Sequence, residues 1–442
     1  LPKLAMAWDG CLQREQRITH WSLDAVPFQG NFYQTRVKTP LQKTQLQRMF
    51  VVISDALRYE VAEEFAQSLN ERGQFLAEIE PQLGVLPSYT QLGMAALLPH
   101  QKLTYTDKGG VLADGQPTQG LKNRDAILQQ HQGMAISSKD LNALSREEGR
   151  ALIQDASVVY VYHNTIDDVC DQQGGEDKTP SVCRDAIEEL QLLVGRLVNR
   201  LNASRVVVTA DHGFLFQQTK LVSSDKTSGI AFPHAFEAKK RYVLGSGLSQ
   251  SLATSQSDPD TIWLGQIADT AHGGDETQFA VPKGIQRFHF VGGAKFVHGG
   301  ASLQEVCVPV VTIRELEGKK IKAHEKQTVG AVLVTQPLRL VRNLEKIQLL
   351  QSDPVGDQFK PLSLEVAVQT AEGEVVSVPE RIRLESEAET LDARTQSVRV
   401  KLVGDQFDRN QTYQLVLTNL ETNMPHATYD VQIDLAIMDD FF

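Results

Sequence analysis

Met49-Phe50-Val51-Val52-Ile53-Ser54 is a short, apolar, β-branched run that ends in Asp55, and it reads as a strand covered on both faces. Helical spacing follows from Leu57 to Arg72: Val61, Phe65 and Leu69 recur every fourth residue, and Gly73 closes the segment. The alternation then repeats outward along the chain. Leu83-Gly84-Val85-Leu86 leads through Pro87 to a helix from about Thr90 to Leu98, stopped by Pro99. Ser157 to Tyr162 is another strand of the buried type, and Asp185 to Leu201 carries Ile187, Leu190, Val194 and Leu197 on one helical stripe. That helix feeds Arg205-Val206-Val207-Val208-Thr209, a fourth strand. Strands alternating with helices predict an α/β domain with a mainly parallel sheet flanked by helices. Such sheets bind ligands beyond the carboxyl ends of their strands.

The domain is expected to span 49–315. Residues 1–48 read as an extension or linker from a longer chain, with Lys3 to Arg17 as the tail of a helix. The first residue is Leu rather than Met. Between about 220 and 280 the chain is rich in Ser, Gly, Asp and Thr and predicts a surface insertion, a lid or binding loop. Glu315 to Gln327 reads as a charged linker. Beyond it, short alternating runs at 329–335, 362–369, 397–402, 413–418 and 429–437 predict a β-rich, sandwich-like domain over 328–442.

The formal net charge of −11 argues against a protein that coats nucleic acid by bulk charge, although a local basic groove remains open. No apolar run approaches the roughly 18–20 residues of a membrane span. Cys11, Cys170, Cys183 and Cys307 match no zinc-knuckle spacing and read as reduced thiols of a cytoplasmic protein. Nine of the eleven histidines precede residue 315, which points any metal or acid–base chemistry to the α/β domain.

What ends each strand is informative. The first ends in Asp55; the third is followed by Asn164, Asp167, Asp168 and Asp171; the fourth ends in Ala210-Asp211-His212-Gly213. A later run, Lys295-Phe296-Val297, ends in His298-Gly299-Gly300. In a parallel sheet all of these would share one rim, where crowded carboxylates repel unless cations lie between them. Taken singly, Asp55 also suits a turn or helix cap, and His212 a packed, hydrogen-bonded histidine. Together they point to a metal site, and the Asp/His mixture suits zinc or manganese better than calcium. Thr90 opens a helix, where an alkoxide or a phosphate oxygen is favoured, so it is a candidate nucleophile; simple capping by Ser88 or Thr90 is the competing reading.

Val52-Ile53-Ser54-Asp55-Ala56-Leu57-Arg58-Tyr59-Glu60, Thr209-Ala210-Asp211-His212-Gly213 and Val297-His298-Gly299-Gly300-Ala301-Ser302 closely resemble PglZ proteins of the BREX bacteriophage-exclusion systems, which belong to the alkaline phosphatase superfamily. The resemblance covers about 45–315 and implies an alkaline-phosphatase-like fold. It also implies two divalent metal ions, zinc foremost, with manganese or magnesium as alternatives. By the same resemblance Asp55, Asp211 and His212 would hold one ion, Asp167, Asp171 and His298 the other, and Thr90 in Pro87-Ser88-Tyr89-Thr90 would be the nucleophile. The superfamily's phosphatases usually have Asp-x-x-x-His where this chain has Asp167-Asp168-Val169-Cys170-Asp171, so His163, Asp168 and Cys170 stay open as substitutes. The implied partners are other BREX components, notably a PglX-type DNA methyltransferase.

Two functions follow. The first is metal-dependent cleavage of a phosphodiester, possible substrates including nucleic acid. Asp55, Asp167, Asp171 and Asp211 would just neutralise two divalent ions, and a neutral centre penalises a monoanionic diester least. Thr90-Gln91-Leu92 does not match a sulfatase motif. The second is a non-catalytic scaffold that binds metal or phosphate and partner proteins. Arg58 and Lys295 are candidate substrate contacts. Lys239-Lys240-Arg241-Tyr242 in the insertion, with Lys283, Arg287 and Lys295, would form a basic rim for nucleic acid beside the metals, or a merely solvated face. Arg58 has Val61 and Ala62 three and four places on, so no acid on its own helix is expected to pair with it.

Overall fold

In a computed structural model of the chain, the run from Met49 is strand β1 (Met49–Ser54), buried at every position. Met49, Val51 and Ile53 enter one hydrophobic cluster, whereas Phe50 and Val52 enter another. A strand whose side chains alternate between two cores needs apolar residues throughout. The structure describes residues 2–44, 48–172, 174–219, 222, 225–227, 232–253, 261–289, 291, 295–316, 327–335, 338–356, 359–404, 407–409 and 411–435.

The other strands of the central sheet are β2 (Phe75–Leu83), β3 (Gly133–Ser137), β4 (Val158–His163), β5 (Val206–Thr209) and β6 (Cys307–Glu315). Their order is β2-β6-β5-β1-β4-β3. β3, β4, β1 and β5 are parallel neighbours. β6 runs antiparallel to both β5 and β2, so β2 shares the direction of the parallel set and β6 alone opposes it. The helices that matter here are α1 (Pro2–Arg14), α2 (Tyr59–Glu71), α3 (Thr90–Ala96), α4 (Leu121–Gln129), α5 (Thr165–Cys170) and α6 (Thr179–Leu201). α2 and α6 cover one face through Phe65, Leu69, Leu190 and Leu193. Leu12 of α1, Trp21, Phe32, Leu92 of α3 and Ile127 of α4 cover the other.

This topology places the site. The carboxyl ends of β1, β2, β4 and β5 share one rim, and β6, running the other way, starts there. The segment before β6, which contains His298, is thereby delivered to the same rim.

Several expectations shift. The second strand is Phe75–Leu83 rather than 83–86: as an edge strand it exposes Glu78 and Glu80, which disguised it. Residues 2–44, expected as an extension, pack into the α/β unit. Among the described residues of 220–280, the expected loop contains a four-stranded antiparallel sheet built from Ala235–Ala238, Val243–Gly245, Ile262–Gln266 and Gln278–Pro282. Strands of three to five residues leave little periodic signal.

The chain divides into two units, Leu1–Leu316 and Glu317–Phe442. Residues 317–326 of the expected linker lie outside the described residues. The second unit is β-rich: a four-stranded and a five-stranded sheet contribute to one core around Leu349, Leu364, Leu415 and Val431. Leu362–Gln369 alternates buried and half-buried residues without a break, as one-sided burial requires. No helix among the described residues is long and apolar enough to cross a membrane.

Candidate active site

Asp55 follows β1 directly, and Ala56 after it adopts a left-handed backbone with φ of 59°. A residue with a Cβ pays about 1–2 kcal/mol for that conformation. The turn aims the Ala56 N–H at Asp211 Oδ1, 3.1 Å away at the end of β5. Asp55, Asp211 and His212 are all buried, and one ligand atom of each lies within 4.8 Å of the others. His212 Nε2 is 3.3 Å from Asp211 Oδ2 and 3.8 Å from Asp55 Oδ1. Its Nδ1 lies 2.9 Å from the Gly213 carbonyl. With Nδ1 donating there, Nε2 presents its lone pair to the carboxylates.

Thr90, the first residue of α3, places Oγ1 3.0 Å from His212 Nε2. The approach depends on Gly93: a Cβ there would lie 2.3 Å from the Asp211 carbonyl oxygen. Only glycine lets this helix press so closely on the end of β5. Gln29, fully buried, donates to the Ala210 and Asp211 carbonyls and accepts from the Val85 N–H, tying the β5 end to the segment that leads into α3.

His298 and Asp167 form a second grouping, with Nε2 and Oδ1 3.7 Å apart. The His298 ring stacks on His212 with centroids 4.2 Å apart and planes inclined by 8°. Asp171 ends α5, exposed, and lines the same cavity of about 400 Å³ as Thr90, Asp167 and His298.

The electrostatics favour a cation. Burial, and then the charge of Asp211, push the Asp55 carboxyl well above the ordinary aspartate range. Asp167 is pushed up to about 6, first by burial. Burial and the neighbouring His212 hold the His298 imidazole far below its usual value, which keeps it neutral. Asp55 Oδ1, Asp167 Oδ1 and Asp211 Oδ2 are buried without a hydrogen-bond partner among the described residues. Unpaired buried carboxylate oxygens beside a neutral imidazole fit the donor set of a divalent metal.

Other expected positions are otherwise engaged. His163 lies between Ser54 Oγ, 2.9 Å from Nδ1, and Glu189, 2.8 Å from Nε2. Asp168 is exposed, and Cys170 is buried against α6. Arg58 pairs with Glu60 and lies 5.0 Å from the Phe214 ring centroid. Helical spacing failed to anticipate that pair because Arg58 is the extended N-cap residue of α2, not part of the helix. Lys295 pairs with Asp177 at 2.6 Å. In the proposed basic rim Arg241 and Arg287 are fully buried, and Lys283 sits over Trp263, 4.0 Å from the ring centroid. Lys239 and Lys240 do line the cavity.

On the opposite wall of that cavity the sequence reading anticipated Lys239, Lys240 and Tyr242 as a rim but missed Glu237. Glu237 and Tyr242, from the hairpin within the 220–280 segment, face the site beside Lys239 and Lys240. Tyr242 stacks on Tyr89 with centroids 4.5 Å apart. It also missed Arg124 of α4, whose charge opposes the upward shift of Asp55. The one available signal was Lys239-Lys240-Arg241-Tyr242 itself.

A mixed sheet with Asp, His and Thr gathered at its carboxyl rim defines an alkaline-phosphatase-like domain. A family model described as the BREX system PglZ alkaline phosphatase-like domain matches residues 32–313, and the chain belongs to that family. It is 46% identical over 446 residues to alkaline phosphatase-like protein BrxZ of Escherichia coli O9:H4 (strain HS), covering 100% of this chain and 51% of that protein. It is 32% identical over 443 residues to alkaline phosphatase-like protein PglZ of Bacillus cereus (strain H3081.97), covering 99% and 50%. The chain thus spans about half the length of the curated relatives it matches. Among solved structures, murine ectonucleotide pyrophosphatase/phosphodiesterase 5 aligns at 12% identity over 61% of this chain and 88% of that one, with a TM-score of 0.42.

Proposed function

We propose that this chain is a metal-dependent phosphoester hydrolase, acting on phosphodiesters such as those of nucleic acid, within a cytoplasmic BREX defence complex that includes a PglX-type DNA methyltransferase. The observation that carries the reading is the Thr90 hydroxyl 3.0 Å from His212 Nε2, beside two buried aspartates with orphaned oxygens. Asp55, Asp211 and His212 would hold one divalent ion, and Asp167, Asp171 and His298 a second, with zinc the best match to the mixed donors. When bound, such ions supply Lewis acidity that lowers the hydroxyl pKa and neutralises charge on the phosphoryl group.

The residues then divide the work. Thr90 Oγ1 attacks phosphorus while the bond to the leaving alcohol breaks, and the threonine proton ends on that alcohol by way of solvent. Water then hydrolyses the phosphothreonine ester and restores the hydroxyl. His212, with Asp55 and Asp211, would hold the ion beside the Thr90 hydroxyl, which lies 3.0 Å from Nε2. Lys239 and Lys240 attract the anionic substrate. Four aspartates against two divalent ions leave a neutral centre, which favours diesters over dianionic monoesters.

Thr90→Ala tests the assignment. Hydrolysis of bis-p-nitrophenyl phosphate should fall by roughly 10³-fold or more while zinc binding persists. An unchanged rate would make Thr90 a helix cap. No turnover by the wild type with zinc, manganese or magnesium would leave the scaffold reading.

A further inference from the structure

Arg241 and Glu305 are a completely buried ion pair, each side chain at 0% exposure. The contact is bidentate, with Nε 3.1 Å from Oε1 and Nη2 2.6 Å from Oε2. Arg241 also donates to the Gln286 and Gly284 carbonyls. Taking two charges out of water is costly, so a pair like this is weak evidence for stability and calls for another explanation.

The explanation lies in what the carboxylate holds. Besides the guanidinium, Glu305 accepts from the N–H of Gly300 at 2.9 Å and from both the N–H and the hydroxyl of Ser302, at 3.1 and 2.6 Å. These residues follow His298 closely in the chain. The backbone carbonyl of Glu305 accepts from the Gly213 N–H at 2.9 Å, next to His212. The Gly300 carbonyl accepts from Ser88 Oγ at 2.6 Å, two residues before Thr90. The segments bearing Thr90, His212 and His298 are therefore tied together around Glu305.

The hairpin closes the arrangement from the other side. A Cβ on Gly300 would lie 2.2 Å from Arg241 Nη2, and one on Gly299, whose φ is +110°, would lie 2.2 Å from Tyr242 Cδ1. Glycines at both positions let the backbone after His298 lie flat against Arg241 and Tyr242. A neutral acceptor would not satisfy so many donors, and an unpaired carboxylate would not stay charged there. Burial pulls the Glu305 carboxyl upward, but Arg241, Ser302 and Gly300 outweigh it and hold it below the usual glutamate value.

We propose that the Arg241–Glu305 pair is a positioning device through which the hairpin Ala235–Gly245 fixes His298, and so sets the metal affinity of the His298–Asp167 grouping without touching substrate. The inference rests on the reading of His298 as a metal ligand. It separates the two groupings: the His212 segment meets Glu305 through a backbone bond that substitution of the side chain leaves in place, whereas the segment after His298 is held by the carboxylate itself.

The test is calorimetric titration of chelator-stripped protein with zinc alone, for the wild type, Glu305→Gln and Arg241→Met. The wild type should bind two classes of zinc. In both variants one class should weaken by about 10-fold or more, the usual scale for residues supporting a ligand, and the other should hold. Excess zinc should restore the rate on bis-p-nitrophenyl phosphate, as expected of lost positioning rather than a lost reacting group. Equal weakening of both classes, or of neither, would overturn the proposal. If circular dichroism shows either variant unfolded, Ser302→Ala removes one bond to the carboxylate and must still weaken the same class. A wild type that binds no zinc contradicts the metal reading itself; two classes unmoved in every folded variant contradict only the clamp.

Discussion

Asp171 puts a carboxylate where the superfamily pattern has an imidazole, and it sits exposed at the end of α5 with Asp167 one turn before it. Its charge adds to the upward push on Asp167. Asp171→His would remove that repulsion, make the centre more positive by about one unit, and offer a softer ligand. Zinc should then be preferred more strongly over manganese or magnesium. The rate ratio of p-nitrophenyl phosphate to its bis ester should rise several-fold with zinc bound, because attraction scales with substrate charge. The check is both rates with each metal, in wild type and variant. A ratio that stays put would dismiss the electrostatic role of Asp171, and unchanged zinc occupancy would dismiss it as a ligand.

At the level of elements, the hairpin from Ala235 to Gly245 turns a shallow rim into a walled cavity. Lys239 is 60% exposed and 3.9 Å from Glu237, so its charge is largely available to an incoming anion. Exposed charge pairs contribute about 0.2–1 kcal/mol each, so Lys239→Ala combined with Lys240→Ala should raise KM for an anionic diester several-fold and change kcat less. The salt dependence of kcat/KM should flatten in parallel. Equal KM values in wild type and double variant, measured at low salt, would remove the hairpin from substrate attraction.

These elements also mark how far the sequence could be read. β1, β4 and β5 were legible because burial on both faces leaves apolar runs rich in Val, and the Asp and His residues that follow those runs stood out as one cluster for the same reason. β2 and β3 lie at the sheet edges, where half-exposure mixes Glu, Gln, Gly and Ser into the pattern. Arg241 and Arg287 show the complementary failure. A sequence displays charge but not burial, and both residues read as surface groups although both are fully buried. Glu305 left a trace: Ser302 and Glu305 have the spacing of a capping box, and they form one.

Across the whole molecule, one sheet direction explains the site. The clustered Asp and His residues follow parallel strands, and the segment leading into the antiparallel strand β6 brings His298 to their rim. The N-terminal segment closes over the back through Gln29 and Trp21, whose indole donates to the Gly84 carbonyl at 2.7 Å. The β-rich unit is built around a core of its own. The central claim is that the rim is a metal centre with Thr90 as its nucleophile. The most direct measurement is anomalous diffraction from crystals soaked in zinc. The account predicts one ion about 2.0–2.2 Å from Asp55, Asp211 and His212 with Thr90 Oγ1 facing it, and a second beside Asp167 and His298. Anomalous density only elsewhere on the protein, with Asp55 and Asp211 holding none, would contradict it.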